Sequence, residues 1–363
     1  MNLKIIVFIL YISILLLIIG ILLLSNKESY SDNSIFDNNN IKHFINHSQN
    51  QLVNKSVPTK IDIVYTWVEN SQEFSKEKDM WFTKEKEKKY DTPSDIRYQD
   101  HKELLYSLRS LEKYFPYFNN IYLVVKDGQF PSYLKKNNPR LIIVNHSDII
   151  PKEYLPTFNS RSIETYLHHI PNLSEYYLYL NDDVMFLKPT NISYFVNDNG
   201  IPYTIHNTSK INKKPISSLN LNSNSFKCGL QFNSAILDDI TKNEDRYEIS
   251  HSPMSYRKSY DFEIEKFFKK YHYGNDKDNL FDKTGAAKFR RCDDLYFVSL
   301  IKPYLYKNLF HSTQKPSESI FVVDFNTNKK LNSHFLHMEF VVDFNSYIKY
   351  MDNLYQQKSQ FEK

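Results

Sequence analysis

The sequence is poor in glycine and cysteine. Only 6 glycines and 2 cysteines occur among 363 residues. A P-loop or a dinucleotide-binding fingerprint requires clustered glycines, and the sequence contains neither motif. It also lacks the cysteine and histidine spacing of zinc sites and the G-x-S-x-G elbow of hydrolases. Cys228 and Cys292 allow one disulfide in an oxidising compartment, and two free buried thiols are the alternative.

A strong excess of one charge is also missing. The formal net charge is +4, and the run KEKEKK at 84–89 mixes lysine with glutamate, which is typical of a solvated helix face. We therefore expect no nucleic-acid partner. With 24% charged and 41% hydrophobic residues, the chain can form one large or two modest globular domains around a substantial core.

One long apolar run is present, at residues 5–24. It has no charged residue and is long enough, at about 1.5 Å per residue, to cross a hydrocarbon core of about 30 Å. An uncleaved signal anchor is favoured over a cleaved signal peptide, whose apolar region is shorter and ends at small residues. The positive-inside rule then predicts a cytosolic tail at 1–4, a flexible lumenal stem at 25–58 and a lumenal globular domain at 59–363. N-glycosylation sequons agree with this location and begin at Asn46, Asn54, Asn145, Asn172, Asn191 and Asn207.

The globular part alternates predicted strands with predicted helices. Apolar runs predict strands at 61–67, 120–125, 140–144 and 176–180, whereas helical spacing predicts helices at about 71–90, 104–115 and 160–170. Asp100 and Glu103 form a predicted capping box before the second helix. Because the strands are apolar on both faces, we expect an α/β fold with a mostly parallel sheet flanked by helices, Rossmann-like or GT-A-like, preceded by one transmembrane helix.

The second half of the chain is less regular. Residues 197–227 are interpreted as a polar insertion, 231–237 as a further strand and 261–271 as an amphipathic helix. His251 is either structural or catalytic on this evidence alone. Arg290 and Arg291 could clamp a phosphate or form part of a charge cluster at a helix start.

Polar residues follow the predicted strands, where the carboxyl ends of parallel strands form ligand sites. The most distinctive are Asn181, Asp182 and Asp183, directly after the last strand of the first half. Adjacent carboxylates can hold a divalent metal, act as a general base or orient a sugar hydroxyl. Solvated loop acids are the alternative, and Asn181 favours a site because it adds a hydrogen-bond donor.

Four segments resemble the Stealth family: 61–71, 97–114, 155–186 and 281–294. That family comprises sugar-phosphate transferases, including bacterial capsule polymerases and the catalytic subunit of the Golgi N-acetylglucosamine-1-phosphotransferase, which starts the mannose 6-phosphate tag for lysosomal targeting. The sequence stretches most similar to the Golgi enzyme are YLNDDVMF at 179–186 and FDKT at 281–284. The segment 333–340 departs from the family's fourth block, and Glu339 is its only acid.

The resemblance implies that 59–363 is a catalytic domain that moves a sugar 1-phosphate from a UDP-sugar to a glycan hydroxyl, releasing UMP. The implied donor is UDP-N-acetylglucosamine, and the implied acceptor is a mannose-type glycan or glycoprotein. A metal-dependent glycosyltransferase releasing UDP is one alternative. A catalytically silent glycan-binding relative is another, and it is suggested by the altered fourth block.

The resemblance also implies roles for individual residues. Asp182, Asp183, His251 and Arg290 are the expected catalytic residues. The expected substrate-binding residues are Asp62, Thr66, Trp67, Arg97, Arg109, Asn181 and Asp294. A Mg²⁺ or Mn²⁺ ion bridging the diphosphate is expected, without identified ligands. We expect a Golgi or other secretory-pathway membrane protein, and the oligomeric state, a homodimer among the options, is open.

Overall fold

The computed structural model describes residues 57–84, 95–221, 223, 225–241, 243–273, 277–310, 312, 314–316, 319–321, 333–337 and 344–363. The predicted cytosolic tail and anchor, the stem up to residue 56 and Glu339 lie outside these ranges. Within them, no helix combines the length and the apolar character needed to cross a membrane.

Strands and helices alternate through the first half of the described chain. The strands are β1 (Ile61–Trp67), β2 (Phe118–Val125), β3 (Leu141–Asn145), β4 (Tyr176–Asn181), β5 (Val184–Phe186), β6 (Thr204–Lys210), β7 (Tyr247–Ile249), β8 (Met254–Arg257), β9 (Gln314–Pro316), β10 (Ser319–Phe321) and β11 (Phe335–His337). The helices are α1 (Gln72–Lys84), α2 (Glu103–Tyr114), α3 (His146–Ile149), α4 (Ser160–Thr165), α5 (Phe226–Ile240), α6 (Lys258–Phe268), α7 (Leu280–Gly285), α8 (Lys302–Phe310) and α9 (Phe344–Leu354).

A five-stranded sheet with the order β3-β2-β1-β4-β8 organises the described residues. β1 pairs in parallel with β2 and β4, and β2 pairs in parallel with β3. β8 is antiparallel to β4 at one edge. The predicted α/β fold with a mostly parallel sheet is therefore confirmed, and its carboxyl edge is where β1, β2, β3 and β4 end together. The finer likeness to Rossmann or GT-A folds stays a prediction.

Both faces of the sheet are covered, as the apolar strands predicted. On one face, Leu104, Leu108 and Leu111 of α2 are completely buried in one cluster with Ile63 and Tyr65 of β1. Their spacing places these leucines on one side of the helix. Burying each leucine stabilises the fold by about 1.5–3 kcal/mol, so α2 is held mainly by packing.

The start of α2 differs from the predicted capping box. Lys102 has a φ of 68° and precedes the helix in the left-handed region. The Asp100 carboxylate consequently accepts from the backbone N–H of Lys102, and the Glu103 carboxylate accepts from the backbone N–H of His101. The predicted capping box is therefore wrong. The two carboxylates accept hydrogen bonds from N–H groups of the turn before the helix, and not from those of the first helical turn.

Residues 231–237 are not a strand, contrary to the prediction, but lie inside α5. A short apolar run fits a strand or a buried helix equally well, and here packing decides. Gly229 lies so close to Tyr296 that an added Cβ would be 2.1 Å from its hydroxyl oxygen. One turn later, Asn233 Nδ2 donates to the backbone carbonyl of Asp294 at 2.8 Å.

The predicted polar insertion at 197–227 contains β6 and the start of α5. β6 pairs with β7 and β9, while β5 and β10 both pair with β11. The helix predicted at 261–271 is α6, which begins three residues earlier, at Lys258. Cys228 and Cys292 form a disulfide, so the sequence's two alternatives resolve in favour of the bond.

Candidate active site

A cleft opens at the carboxyl edge of the central sheet. The residues that follow four parallel strands line it: Thr66 and Trp67 at the end of β1, Val124 of β2, His146 after β3, and Asn181 and Asp182 at the end of β4. In parallel sheets the strand ends meet at one edge, which explains how residues as far apart in the chain as Thr66 and Asp182 come together. The sheet edge at which the sequence predicted polar residues therefore forms a cavity in the fold.

The opposite wall of the cleft is aromatic and cationic. Phe74, Phe158 and Phe289 pack in one cluster, with the rings of Phe158 and Phe289 stacked 5.5 Å apart. Arg97 and Arg290 line the same cleft, and the side chain of Arg97 is exposed. The cleft therefore offers flat apolar surfaces beside two guanidinium groups, a combination that suits an aromatic base carrying phosphates.

Asp182 lies in the turn between β4 and β5, against three other acids. Burial raises the pKa of its carboxyl well above the usual range, and the negative charges of Asp183, Glu103 and Asp100 add to that rise. The turn is anchored to α2 because Ser107 Oγ donates to the carbonyl of Val184 at 2.5 Å. The fold thus holds Asp182 where it favours a proton or a nearby cation.

Asp183 pairs with His251. The distance from His251 Nε2 to Asp183 Oδ1 is 3.0 Å, and 37% of the histidine side chain is exposed. The segment between β7 and β8 carries His251 and reaches the strand edge because β8 pairs with β4. A carboxylate that fixes an imidazole and stabilises its protonated form is the arrangement of a general base.

Arg290 is positioned by the first residue of α4, since its Nη2 donates to Ser160 Oγ at 2.7 Å. Glu164, one turn further along α4, is buried, and burial raises the pKa of its carboxyl, although the charges of Arg290 and Arg161 oppose that rise. Tyr179 OH donates to Glu164 Oε1 at 3.3 Å and lies 3.1 Å from Thr66 Oγ1. Glu164 therefore connects α4 to Tyr179 of β4 and, through the Tyr179 hydroxyl, to Thr66 of β1.

Asp294 is completely buried and holds the segment that carries Arg290. Its carboxylate accepts from Asn159 Nδ2 at 2.9 Å and from the backbone N–H of Arg291 at 2.7 Å. Arg161 Nη1 lies 3.7 Å away, so the charges it supports are Arg161 and Arg291. Its contacts are those of a residue that positions the arginine segment.

Like Asp294, the predicted substrate-binding residues Asp62 and Arg109 do not line the cleft. Asp62 is completely buried near the start of β1, where its carboxylate accepts from the backbone N–H groups of Asn120 and Ser174. Arg109 lies on α2 and forms a bidentate contact with Glu362, at 2.8 Å for each nitrogen. Both residues join distant segments of the chain.

His146, one of the polar residues that follow the strands, lines the cleft. Burial lowers the pKa of His146 to about 4, so this histidine is neutral at pH 7. Sequence reasoning overlooked Ser160, which lines the cleft, and the pair of Glu164 and Tyr179, which contacts Thr66. All three fall inside the segment that resembles Stealth. Their signal was weak because serine, glutamate and tyrosine are ordinary helix and strand residues until their contacts are known.

The cleft fits a divalent cation bound partly by substrate. Among the described residues, no three His, Cys, Asp or Glu side chains of the cleft bring their ligand atoms within 4.8 Å of one another. Mg²⁺ is commonly held by one or two carboxylates together with substrate phosphates. Asp182 and Asp183 could supply such carboxylates, and a cation would oppose the burial and the like charges that together raise the pKa of Asp182.

Comparison with known proteins bears on the segments that build this cleft. Residues 97–204 match the family model Stealth protein CR2, conserved region 2. These residues include Arg97, Asn181, Asp182 and Asp183. The family match thus coincides with the strand-edge site.

Curated relatives also match the chain. The capsular polysaccharide phosphotransferase fcs1 of Haemophilus influenzae is 40% identical over 154 residues, 42% of each chain. LcbA of Neisseria meningitidis, also a capsular polysaccharide phosphotransferase, is 41% identical over 146 residues, 40% of each chain. These matches support the Stealth family.

Another relative matches a longer part of the chain. The exopolysaccharide phosphotransferase SCO6023 of Streptomyces coelicolor is 31% identical over 272 residues, which are 71% of this chain and 41% of that relative. The chain therefore spans about two fifths of the length of these relatives. These relatives are themselves named as polysaccharide phosphotransferases.

Among solved structures, galactosyltransferase LgtC in complex with donor and acceptor sugar analogs is similar at a TM-score of 0.39 and 10% identity. The alignment covers 84% of this chain and 98% of that one. This similarity is too low to indicate a shared activity.

Proposed function

We propose that the chain transfers a sugar 1-phosphate from a UDP-sugar to a glycan hydroxyl and releases UMP. The observation that carries the proposal is the contact of Asp183 with His251, at 3.0 Å, beside a cleft that Asp182 and Arg290 line. The Stealth match and the relatives, which are named as polysaccharide phosphotransferases, support the same chemistry.

The donor would lie along the aromatic and cationic wall. Phe158, Phe289 and Trp67 offer surfaces for the uracil ring, and Arg97 and Arg290 offer guanidinium groups for the diphosphate. Phosphoryl transfer depends on in-line positioning and on neutralising charge at the phosphoryl oxygens, so these groups supply most of what the reaction needs.

In the proposed step, the acceptor hydroxyl oxygen attacks the phosphorus next to the sugar. A new O–P bond forms, the bond from that phosphorus to the oxygen shared with UMP breaks, and UMP leaves with that electron pair. His251 takes the hydroxyl proton, and Asp183 stabilises the imidazolium that results. Arg290, held by Ser160, faces the charge that accumulates on the transferred phosphate.

A Mg²⁺ or Mn²⁺ ion, when bound, would supply positive charge to the diphosphate. Asp182 and Asp183 are the residues we propose to hold it. We further propose N-acetylglucosamine 1-phosphate as the transferred group, a mannose-type glycan as acceptor, and a secretory-pathway location, Golgi included, with residues 5–24 as the membrane anchor. The sequence resemblance and the apolar run support these finer assignments.

The deciding experiment incubates the full chain with UDP-N-acetylglucosamine, simple mannosides and Mg²⁺ or Mn²⁺. We expect UMP together with a sugar phosphodiester, which ³¹P NMR detects directly. UDP without a phosphodiester would identify a glycosyltransferase and refute the proposal. The chain could instead bind UDP-N-acetylglucosamine and other UDP-sugars but turn over none of them with any mannoside. That result would favour the silent glycan-binding alternative.

A further inference from the structure

A cluster of two histidines and one glutamate lies outside the proposed cleft. His168 and His169 belong to a short 3-10 turn, Leu167–His169, and Glu265 belongs to α6. The Nε2 atoms of both histidines approach the same oxygen, Oε2 of Glu265, at 2.6 Å and 2.7 Å. None of the three lines the cleft.

The three side chains are held in place, and one of them reaches the surface. The side chains of His168 and Glu265 are 0% and 6% exposed, and that of His169 is 32% exposed. The ring of Phe262 packs against both imidazoles, with centroids 4.7 Å and 5.2 Å away. An ion could therefore reach a prepared set of ligand atoms from the side of His169.

The chemistry of the cluster suits a cation. One possible ligand atom from each of the three side chains lies within 4.8 Å of the others. A neutral imidazole offers the lone pair of Nε2 once that nitrogen gives up its hydrogen bond to Glu265. Lys269 Nζ lies 2.6 Å from the other oxygen of Glu265, and its side chain is 46% exposed. A lysine so exposed can turn into solvent when another cation takes its place.

We propose that His168, His169 and Glu265 form a binding site for a divalent transition metal ion of the zinc class. Two imidazoles and one carboxylate are a ligand set that zinc accepts, with water in the fourth position. Tetrahedral zinc at about 2.0–2.1 Å from each ligand places the ligand atoms about 3.3 Å apart. The two observed distances from Nε2 to Oε2, 2.6 Å and 2.7 Å, would each lengthen by less than about 1 Å to reach that spacing. The ion would tie the turn before β4 to α6.

The test uses the full chain after removal of metal by a chelator. Co²⁺ serves as a spectroscopic probe, since a tetrahedral site gives a far stronger visible absorption than octahedral aqueous cobalt, and Zn²⁺ binding is measured by calorimetry. We expect one equivalent of either metal to bind and thermal unfolding to shift upward with Zn²⁺ concentration. No saturable binding, or binding without the tetrahedral spectrum, would overturn the proposal.

Three variants sharpen the result. His169→Asn removes the exposed ligand and should weaken Zn²⁺ binding by more than about tenfold. Lys269→Ala keeps all three ligands and removes the competing cation, so it should strengthen binding. His206→Asn, on β6, is the matched control and should change nothing. Unchanged affinity in His169→Asn, or weaker affinity in Lys269→Ala, would contradict the site. These readouts do not depend on transferase activity.

Discussion

A completely buried ion pair lies beneath the strand that ends in Asn181. Lys302 of α8 and Asp261 of α6 are both 0% exposed, and Lys302 Nζ lies 2.9 Å from Asp261 Oδ2. Two tyrosine hydroxyls complete the network, because Tyr177 of β4 donates to Oδ2 at 2.5 Å and Tyr306 donates to Oδ1 at 2.7 Å. The network connects α6 and α8 to Tyr177, near the start of β4.

Replacing Lys302 with methionine should destabilise the protein strongly. Methionine fills most of the space of the lysine stem, and the Asp261 carboxylate is left buried without its cation. Breaking such a pair by removing one partner costs about 3–5 kcal/mol. The two tyrosine hydroxyls still bind the carboxylate, and hydrogen bonds to charged groups are worth about 1.5–3 kcal/mol each. We therefore expect a loss of about 3 kcal/mol, at the lower end of that range.

The loss should also depend on pH. Without Lys302, the buried negative charge at Asp261 is uncompensated in the folded state, and binding a proton removes it. Folding stability of the variant therefore increases as pH falls, because the folded state gains more from that proton than the unfolded state does. We expect the difference between Lys302→Met and the parent protein to be largest near neutral pH and to shrink in mildly acidic buffer.

Urea unfolding followed by circular dichroism at several pH values measures both effects. Lys302→Met combined with Asp261→Asn should recover part of the lost stability, since the uncompensated charge is gone. Lys307→Met is the matched control: its side chain is 31% exposed and its ion pair with Glu244 is near the surface, so its loss should stay below about 1 kcal/mol. If Lys302→Met loses no more than Lys307→Met, the reasoning from burial is refuted.

The remaining predictions concern the cleft and the disulfide. Asp183→Asn and His251→Ala should each lower UMP release by about 10²–10⁴-fold, and the double variant should lose little more than the worse single one because the two residues act as a unit. If the loss in the double variant equals the sum of the two single losses, the two residues do not act as a unit. Arg290→Lys should lower the rate of transfer by about 10²–10³-fold with donor binding largely retained, since lysine cannot reproduce a planar bidentate contact, and an unchanged rate would remove Arg290 from the mechanism. Replacing Cys228 and Cys292 together by serine removes a cross-link between positions 64 residues apart. The free energy of unfolding, measured in urea, should fall by about 2–5 kcal/mol. If reductant shifts the parent and the double variant equally, the disulfide does not stabilise the fold.

Local pattern predicted the part of the fold that repeats a simple physical rule. Apolar runs bounded by polar residues gave β1 to β4 within two residues of their ends, and helical spacing gave the buried leucines of α2. Parallel strands end at a common edge, so the strand ends alone predicted that Thr66, Asn181 and Asp182 would meet. The N-terminal apolar run and its expected anchor depend on the same kind of local rule and remain a prediction.

Other features depended on contacts between distant residues, which local pattern does not encode. The strand predicted at 231–237 is helical because Gly229 and Asn233 pack on Tyr296 and Asp294. The choice between a disulfide and free thiols depended on the tertiary contact that brings Cys228 of α5 next to Cys292.

The roles of the site residues were decided in the same way. His251 is an isolated histidine in the sequence and gains a partner only because β8 pairs with β4 and carries it to Asp183. Asp62 and Arg109 appear as charged residues within apolar segments, and the fold uses them to join distant parts of the chain. The sequence by itself therefore determined which edge of the sheet could bind a ligand. The tertiary structure decided which charges reach that edge, because a charge acquires its function from the groups that bury it and pair with it.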